Sequence, residues 1–326
     1  MTQRAKLSDV ARAAGVSPAT VSRVLNANDR VAPELVERVL KAREDLGYRH
    51  NSLARGLRTR ANNVVGVVIP DVTNPFFTDL VRGIEDISRE SNYLLVLCNT
   101  DETYPKELEY LNMLVDHNVA GVVIAPAQSE SSGLVGATLA GVPTVLVDRL
   151  MVDMDVDSVT LDNASGAKEL TEYLLGRAQT VATITGPLVT TTASERLTGY
   201  RLALAEAGIA FNPDYFIESD YSEQGGYDAT MRLLALPEPP DAIFAGNNAM
   251  AHGMVRALRE NGREPRDIAL ASFDPLNWLA DPTHSVAVLN VPSYEMGRTA
   301  ARMLIERIQG SQSAPRRIEV HPGLVV

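Results

Sequence analysis

The sequence is poor in the groups that carry catalysis, secretion or membrane insertion. Its one cysteine, Cys98, excludes an intrachain disulfide framework, and its place in the apolar run YLLVLC assigns it to packing rather than reactivity. Five histidines, His50, His117, His252, His284 and His321, are scattered without any metal-ligand spacing, so no metal is expected. There is no GxGxxG, no Walker-type phosphate loop and no GxSxG turn. Neither a cofactor nor a catalytic residue is therefore expected. Asp148 and Asp274 could be paired as acid and base, but carboxylates in a ligand cleft are ordinary hydrogen-bond acceptors. No stretch approaches the roughly 18 apolar residues of a membrane span. The N-terminal Lys and Arg are not followed by the apolar core of a signal peptide, which points to a cytoplasmic protein without a membrane partner.

What is present is a strong charge asymmetry. Residues 1–60 hold 12 Lys+Arg against 6 Asp+Glu, whereas the whole chain holds 30 against 41. A basic arm on an acidic body is the electrostatic footprint of a nucleic-acid-binding head. Within that arm, Ser8 can cap a helix carrying Val10, Ala11 and Ala14 on one face, with Gly15 as the left-handed stop. Ser17 then caps a second helix with Pro18 at its first position and Val21, Val24 and Leu25 facing inward. Two short helices joined by a Gly-containing turn make a helix-turn-helix. A third helix, starting at Pro33 and ending at Gly47, offers Leu35, Val36, Val39, Leu40 and Leu46 to complete a small core.

At 326 residues the chain is too long for one ordinary core and suits a small head on a large, two-lobed body. From Val64 onward VVGVVI, YLLVLC, GVVIA and TVLVD read as buried strands, with helices around Asp79 to Glu90, Lys106 to His117 and Gly133 to Ala140. A second series runs from SVTL through TVATIT, DAIFAG and DIALASF. Two doubly wound lobes follow, and ligands of such sheets bind beyond the carboxyl ends of the strands. At those ends stand the loop Pro70 to Phe77, then Asp148 and Arg149, then Thr190, Thr192 and Arg196, then Asn247 and Asp274. Guanidinium, carboxylate and amide groups converging there suit a small polar ligand, with an aromatic over its apolar face. Phe76, Phe77 and Tyr221 equally fit ordinary core, and Asp148 a helix cap or a lobe-to-lobe pair.

The runs DVARAAGVSPATVSRVLN, DLGYRHN and LARGLRTR, followed in order by GVVIPDVTNPFF, GVPTVLVDR, ERLTGY, FAGNNAMA and ASFDP, resemble the LacI/GalR family of bacterial transcription regulators over nearly the whole chain. The resemblance implies an α/β protein: a three-helix helix-turn-helix head at 1–48, a hinge at 49–61, and a two-lobed doubly wound α/β body, similar to periplasmic binding proteins, at 62–326. Lobe 1 takes about 62–161 and 291–320, and lobe 2 about 162–290 and 321–326, the chain crossing near Leu161 and near Asn290. It further implies a homodimer on an inverted-repeat operator of double-stranded DNA, read through Ser17, Pro18, Ala19, Thr20, Ser22, Arg23 and Asn26. Hinge residues Asn51, Ala54, Leu57 and Arg58 join them, Leu57 as a wedge between bases of the minor groove. Asn74, Phe76, Asp148, Thr190, Thr192, Arg196, Tyr221, Asn247 and Asp274 match effector-contacting positions. Pro275 stands where a second acidic residue is common, Val291 where a glutamine is usual, and GRAQT lacks a Gly-His pair. A sugar, sugar acid or nucleobase effector all stay open, with Arg196 and the threonines leaning towards the first two. An exported receptor of the same fold would need a signal peptide and no DNA-binding head.

Overall fold

The computed structural model describes residues 5–25, 31–48, 63–130, 133–263, 267–274 and 286–325. The chain divides into two units, Met1–Asn62 and Asn63–Val326. In the first, α1 (Leu7–Ala14), α2 (Pro18–Leu25) and α3 (Pro33–Asp45) pack around Val10, Ala11, Ala14, Val21, Val24, Val39 and Ala42. Gly15, at φ 62°, turns the chain out of α1, and the Ser17 hydroxyl accepts the Thr20 N–H at 3.1 Å to start α2. Ser8 is not the cap expected for α1. It lies inside the helix, because the Asp9 carboxylate accepts the Lys6 N–H at 2.9 Å and fixes the cap two residues earlier, at Lys6. On α3 the buried stripe is Val39 and Ala42, while Leu40 and Leu46 are 41% and 39% exposed. Three short helices bury only a narrow stripe of each, and Leu40 falls about 100° away from Val39 around the helix.

The second unit contains two six-stranded sheets. The first runs β11 (Arg317–Val320), β5 (Asp157–Leu161), β4 (Thr144–Asp148), β3 (Gly121–Ile124), β1 (Val64–Ile69), β2 (Leu94–Asn99), all parallel. The second runs β12 (Gly323–Val325), β10 (Val286–Asn290), β9 (Ala269–Ser272), β8 (Ala242–Ala245), β6 (Val181–Thr185), β7 (Phe216–Glu218), parallel except for β12. SVTL, expected to open the second series, is thus β5 of the first sheet. YLLVLC is not a buried strand either. As β2 it lies at the sheet edge, with Leu94, Val96 and Leu97 exposed and only Cys98 inside.

Helices α4 (Pro75–Glu90), α5 (Tyr104–Asp116) and α6 (Leu134–Thr138) belong with the first sheet, and α7 (Asn163–Leu175), α8 (Thr191–Glu206), α9 (Glu223–Leu234) and α10 (Asn248–Glu260) with the second. After β10 the chain returns to the first sheet as α11 (Ser293–Ile308), which packs along α4. Gly83 and Gly297 permit that contact: a Cβ on Gly83 would lie 2.1 Å from the Tyr294 carbonyl oxygen, and one on Gly297 2.0 Å from that of Leu80. The chain crosses between the sheets after β5, after β10 and between β11 and β12. Both sets of carboxyl strand ends open onto one cleft.

Candidate functional site

The cleft encloses about 360 Å³ and is lined from the first lobe by Pro70, Asp71, Asn74, Phe76, Phe77, Asp101, Glu102, Asp148 and Arg149, and from the second by Thr192, Arg196, Asp220, Tyr221, Ser222, Asn247 and Asp274. Each group follows a strand end, the position where the sheet can no longer satisfy its own backbone and side chains turn inward.

Helix starts aim several of them. Asn74 caps α4 through the Phe76 N–H at 3.0 Å, and its side-chain oxygen also accepts the Asn248 amide of the other lobe at 3.1 Å. Pro75 then sets Phe76 at the mouth of the helix, edge-to-face with Phe77 at 4.9 Å. Asn247 caps α10 by accepting the Met250 N–H at 2.8 Å, and donates to the Tyr221 carbonyl at 3.1 Å. Thr190 caps α8 and is not among the lining residues. Its hydroxyl is held by the Pro187 carbonyl at 2.8 Å and the Tyr221 hydroxyl at 3.1 Å, behind the cleft wall. Thr192 does line the cleft, and its hydroxyl meets that of Tyr221 at 2.9 Å.

Arg196 is buried and fixed: its Nε donates to Asn163 at 2.9 Å, one terminal nitrogen donates to the Gly246 carbonyl, and its plane stacks 3.6 Å from the Phe273 ring. Arg149 is equally buried and chelated by Glu102, with oxygen distances of 2.6 and 2.7 Å. It also donates to the Pro126 carbonyl at 3.2 Å and stacks 5.1 Å from the Tyr221 ring across the cleft. Asp148 and Asp274 face one another's charge. Burial pushes Asp148 up to about 6 against the pull of Arg149 and Arg196, and pushes Asp274 up against Arg196.

Backbone strain gathers here as well. Asp101, Glu102, Asp148 and Tyr221 have φ of 51°, 56°, 64° and 64°, the left-handed region that costs a non-glycine residue about 1–3 kcal/mol. The lobes are clasped at the rim, where Ser129 N–H donates to the Val189 carbonyl at 2.8 Å, Thr191 N–H to the Ser129 hydroxyl at 2.7 Å, and Leu150 N–H to the Thr191 hydroxyl at 3.0 Å. Of the residues expected at the effector site, all but Thr190 line the cleft. Glu102, Asp101, Asp220 and Ser222 were not foreseen. The strand-end rule, applied to the edge strands β2 and β7 as it was to the central ones, reaches all four.

In the head, Ser17, Pro18, Ala19 and Arg23 form an exposed edge of α2, and Thr20 and Ser22 are half-buried. The Ser17 and Thr20 hydroxyls are 2.9 Å apart. Asn26, Asn51, Ala54, Leu57 and Arg58 lie outside the described residues. Among the described residues no helix is long and apolar enough to cross a membrane, and no group of acidic, His or Cys side chains could hold a metal ion.

Residues 62–323 match the family profile described as periplasmic binding proteins and sugar binding domain of LacI family, and residues 6–51 match that of the bacterial regulatory proteins, lacI family. The chain is similar to the ribose operon repressor of Escherichia coli (strain K12), with 35% identity over 324 residues, 98% of each chain. Among solved structures it is similar to the transcriptional regulator CelR in complex with cellobiose (30% identity, TM-score 0.74, 99% of both chains). A LacI family transcriptional regulator from Enterococcus faecium with bound ribose also matches (30% identity, TM-score 0.71, 81% of this chain and 97% of that one). A capped, glycine-turned helix pair ahead of a two-lobed polar cleft, matched along its length by these profiles and relatives, places the chain in the LacI family of DNA-binding bacterial transcription regulators.

Proposed function

We propose that the protein is a cytoplasmic repressor whose affinity for an operator is set by a sugar held between its lobes. The observation that carries this reading is the pair of buried carboxylates, Asp148 and Asp274, brought from opposite lobes to one cleft that Arg196 and Phe76 also line. Carboxylates that lack strong partners accept hydroxyl protons, an aromatic covers the C–H face of a sugar ring, and a ligand that touches both lobes biases how they close. Ribose and cellobiose in the related structures support the same class. On this reading residues 1–48 form the DNA-binding head, 49–61 the hinge, and the contacts are those of Asn74, Phe76, Asp148, Thr192, Arg196, Tyr221, Asn247 and Asp274. Catalysis has no part in it.

Two copies are proposed to bind an inverted repeat, because one head neutralises few phosphates and two-fold pairing doubles its contacts. The exposed apolar edge formed by Leu94, Val96 and Leu97 supports an association between copies. Sedimentation at micromolar protein is expected to give a dimer, and a monomer alone would refute it.

A thermal-shift screen of sugars, sugar acids, sugar phosphates, purines and nucleosides tests the effector. A ligand at a hundredfold excess over its Kd stabilises the folded state by about 2.7 kcal/mol. Arg196→Ala and Asp274→Ala are each expected to lose the shift and still bind DNA. A shift that persists in both variants would reject the cleft, and hits confined to purines would reject the sugar.

A further inference from the structure

The sequence leaves open whether the ligand is charged, and the cleft's own pairing of charges bears on that. Its described lining has six carboxylates, on Asp71, Asp101, Glu102, Asp148, Asp220 and Asp274, against two guanidiniums, on Arg149 and Arg196. Three of the carboxylates are occupied at the rim. Asp71 accepts the Thr73 N–H and hydroxyl at 2.8 and 2.7 Å, Asp101 is paired with Lys106, and Asp220 accepts the Ser222 N–H and hydroxyl at 3.0 and 2.6 Å.

Glu102 is the decisive one. It takes both terminal nitrogens of Arg149, cancels that charge and fills the planar edge with which a guanidinium grips a carboxylate or phosphate. The Arg149 Nε is turned to Asp148, at 3.6 Å. Arg196 is partly committed, with Nε on Asn163, one terminal nitrogen on the Gly246 carbonyl and its face on Phe273, which leaves its second terminal nitrogen as its one group without a protein acceptor among the described residues. What stays available for a ligand is Asp148 and Asp274, 5% exposed each, and that one nitrogen of Arg196. Among the described residues Asp148 accepts no hydrogen bond, and Asp274 receives that of the Asn248 backbone. With Arg149 and Glu102 cancelled, these two negative charges face the single positive charge of Arg196.

An anion entering such a site would meet two buried carboxylates against one guanidinium nitrogen, too little to offset their repulsion or to grip it through two parallel bonds. A neutral polyol gives its hydroxyl protons to both carboxylates and needs no cation. Resting on the effector reading above, we infer that the ligand is a neutral polyhydroxylated molecule, and that Glu102, by occupying Arg149, is the residue that excludes sugar acids and sugar phosphates. The raised positions of both aspartates agree with this, since neither has a cation strong enough to offset its burial.

The test is calorimetric titration of the full-length protein at pH 7.5 with neutral sugars, D-ribose and cellobiose first, each paired with its aldonate and its phosphate ester. The expected result is binding by a neutral member and at least a hundredfold weaker binding by its anionic partners. Glu102→Gln keeps the side-chain length and removes the charge. It is expected to improve the anionic partner's affinity at least tenfold relative to the neutral sugar, with an unchanged circular-dichroism spectrum and a cooperative melt showing that the variant is folded. An anionic partner that matches the neutral sugar in the unaltered protein overturns this inference while the effector reading stands. An unchanged ratio in Glu102→Gln overturns the role of Glu102. Silence across every sugar, acid and phosphate overturns the inference and the effector reading together.

Discussion

Individual carboxyl groups set the pH behaviour of this protein. Asp148, pushed up to about 6 by burial, faces Arg149, Arg196, Asp274 and Glu102. Hydroxyl donors of a ligand need its anionic form, so a bound sugar must lower its pKa and expel a proton from the protonated state. Affinity should be flat above about pH 7 and fall as the pH drops through 6, approaching about tenfold per pH unit. Titrations from pH 5 to 8 check this, and the Asp148→Asn variant should bind weakly with no such slope. Glu107 is fully buried, with one oxygen on the Ala127 N–H at 2.7 Å and the other unpartnered. Burial pushes it up to about 7, so the folded state holds a proton that the unfolded chain gives up near 4.5. A carboxyl raised on folding makes stability fall as the pH rises between those values. Glu107→Gln should therefore raise the melting temperature at pH 8 more than at pH 5, and an equal change at both would show that Glu107 does not titrate in that interval.

The elements differ in how far local sequence announces them. The helix pair of the head was legible because the Ser17 cap, turn glycine and inward valines all lie within twenty residues, and Asn74, Asp148, Arg196, Asn247 and Asp274 were legible because each follows a hydrophobic strand. Glu102 follows a hydrophobic strand too, β2, and the same rule reaches its position, but its pairing with Arg149 was not legible: that spans 47 positions and depends on two successive left-handed residues, Asp101 and Glu102, which no periodicity records. Thr190 shows the opposite failure. It sits two residues before Thr192 and looks equivalent, but the start of α8 turns its hydroxyl to capping. Edge strands are similarly silent, since an apolar run does not say whether a neighbour covers it. Where helices touch, small residues decide. A side chain at Gly297 collides with the backbone of α4 rather than with a movable rotamer. Gly297→Leu should cost at least about 3 kcal/mol, the upper end of ordinary overpacking, measured by urea denaturation. A loss below about 1 kcal/mol would mean that α4 and α11 can separate without consequence.

For the whole molecule, the basic head and acidic body divide the electrostatic labour. Arg23, exposed on α2, is expected to read a guanine, so Arg23→Ala should cost about 1–3 kcal/mol of operator affinity and relax one position in each half-site. Binding selections on randomised operators check this. A uniform loss on every sequence would instead place Arg23 on a phosphate. The three crossings between the sheets also bear on how the protein is made. β11 pairs with β5, where Arg316 and Asp157 meet across 159 positions, and α11 closes on α4 through Tyr294 and Asp86, 208 positions apart. A nascent chain that has emerged as far as β5 therefore displays a first sheet with α4 uncovered on its α11 side and β5 unpaired along one edge. Five strands of the second sheet, β6 to β10, are synthesised before β11 can complete the first. Folding during translation thus cannot proceed lobe by lobe: the α4 contact must wait for α11 and the β5 edge for residues 317–320. Topology of this kind gives slow folding and a long exposure of unpaired edges on the ribosome, a cost that arises from the order of the chain and that a more stable native state does not remove.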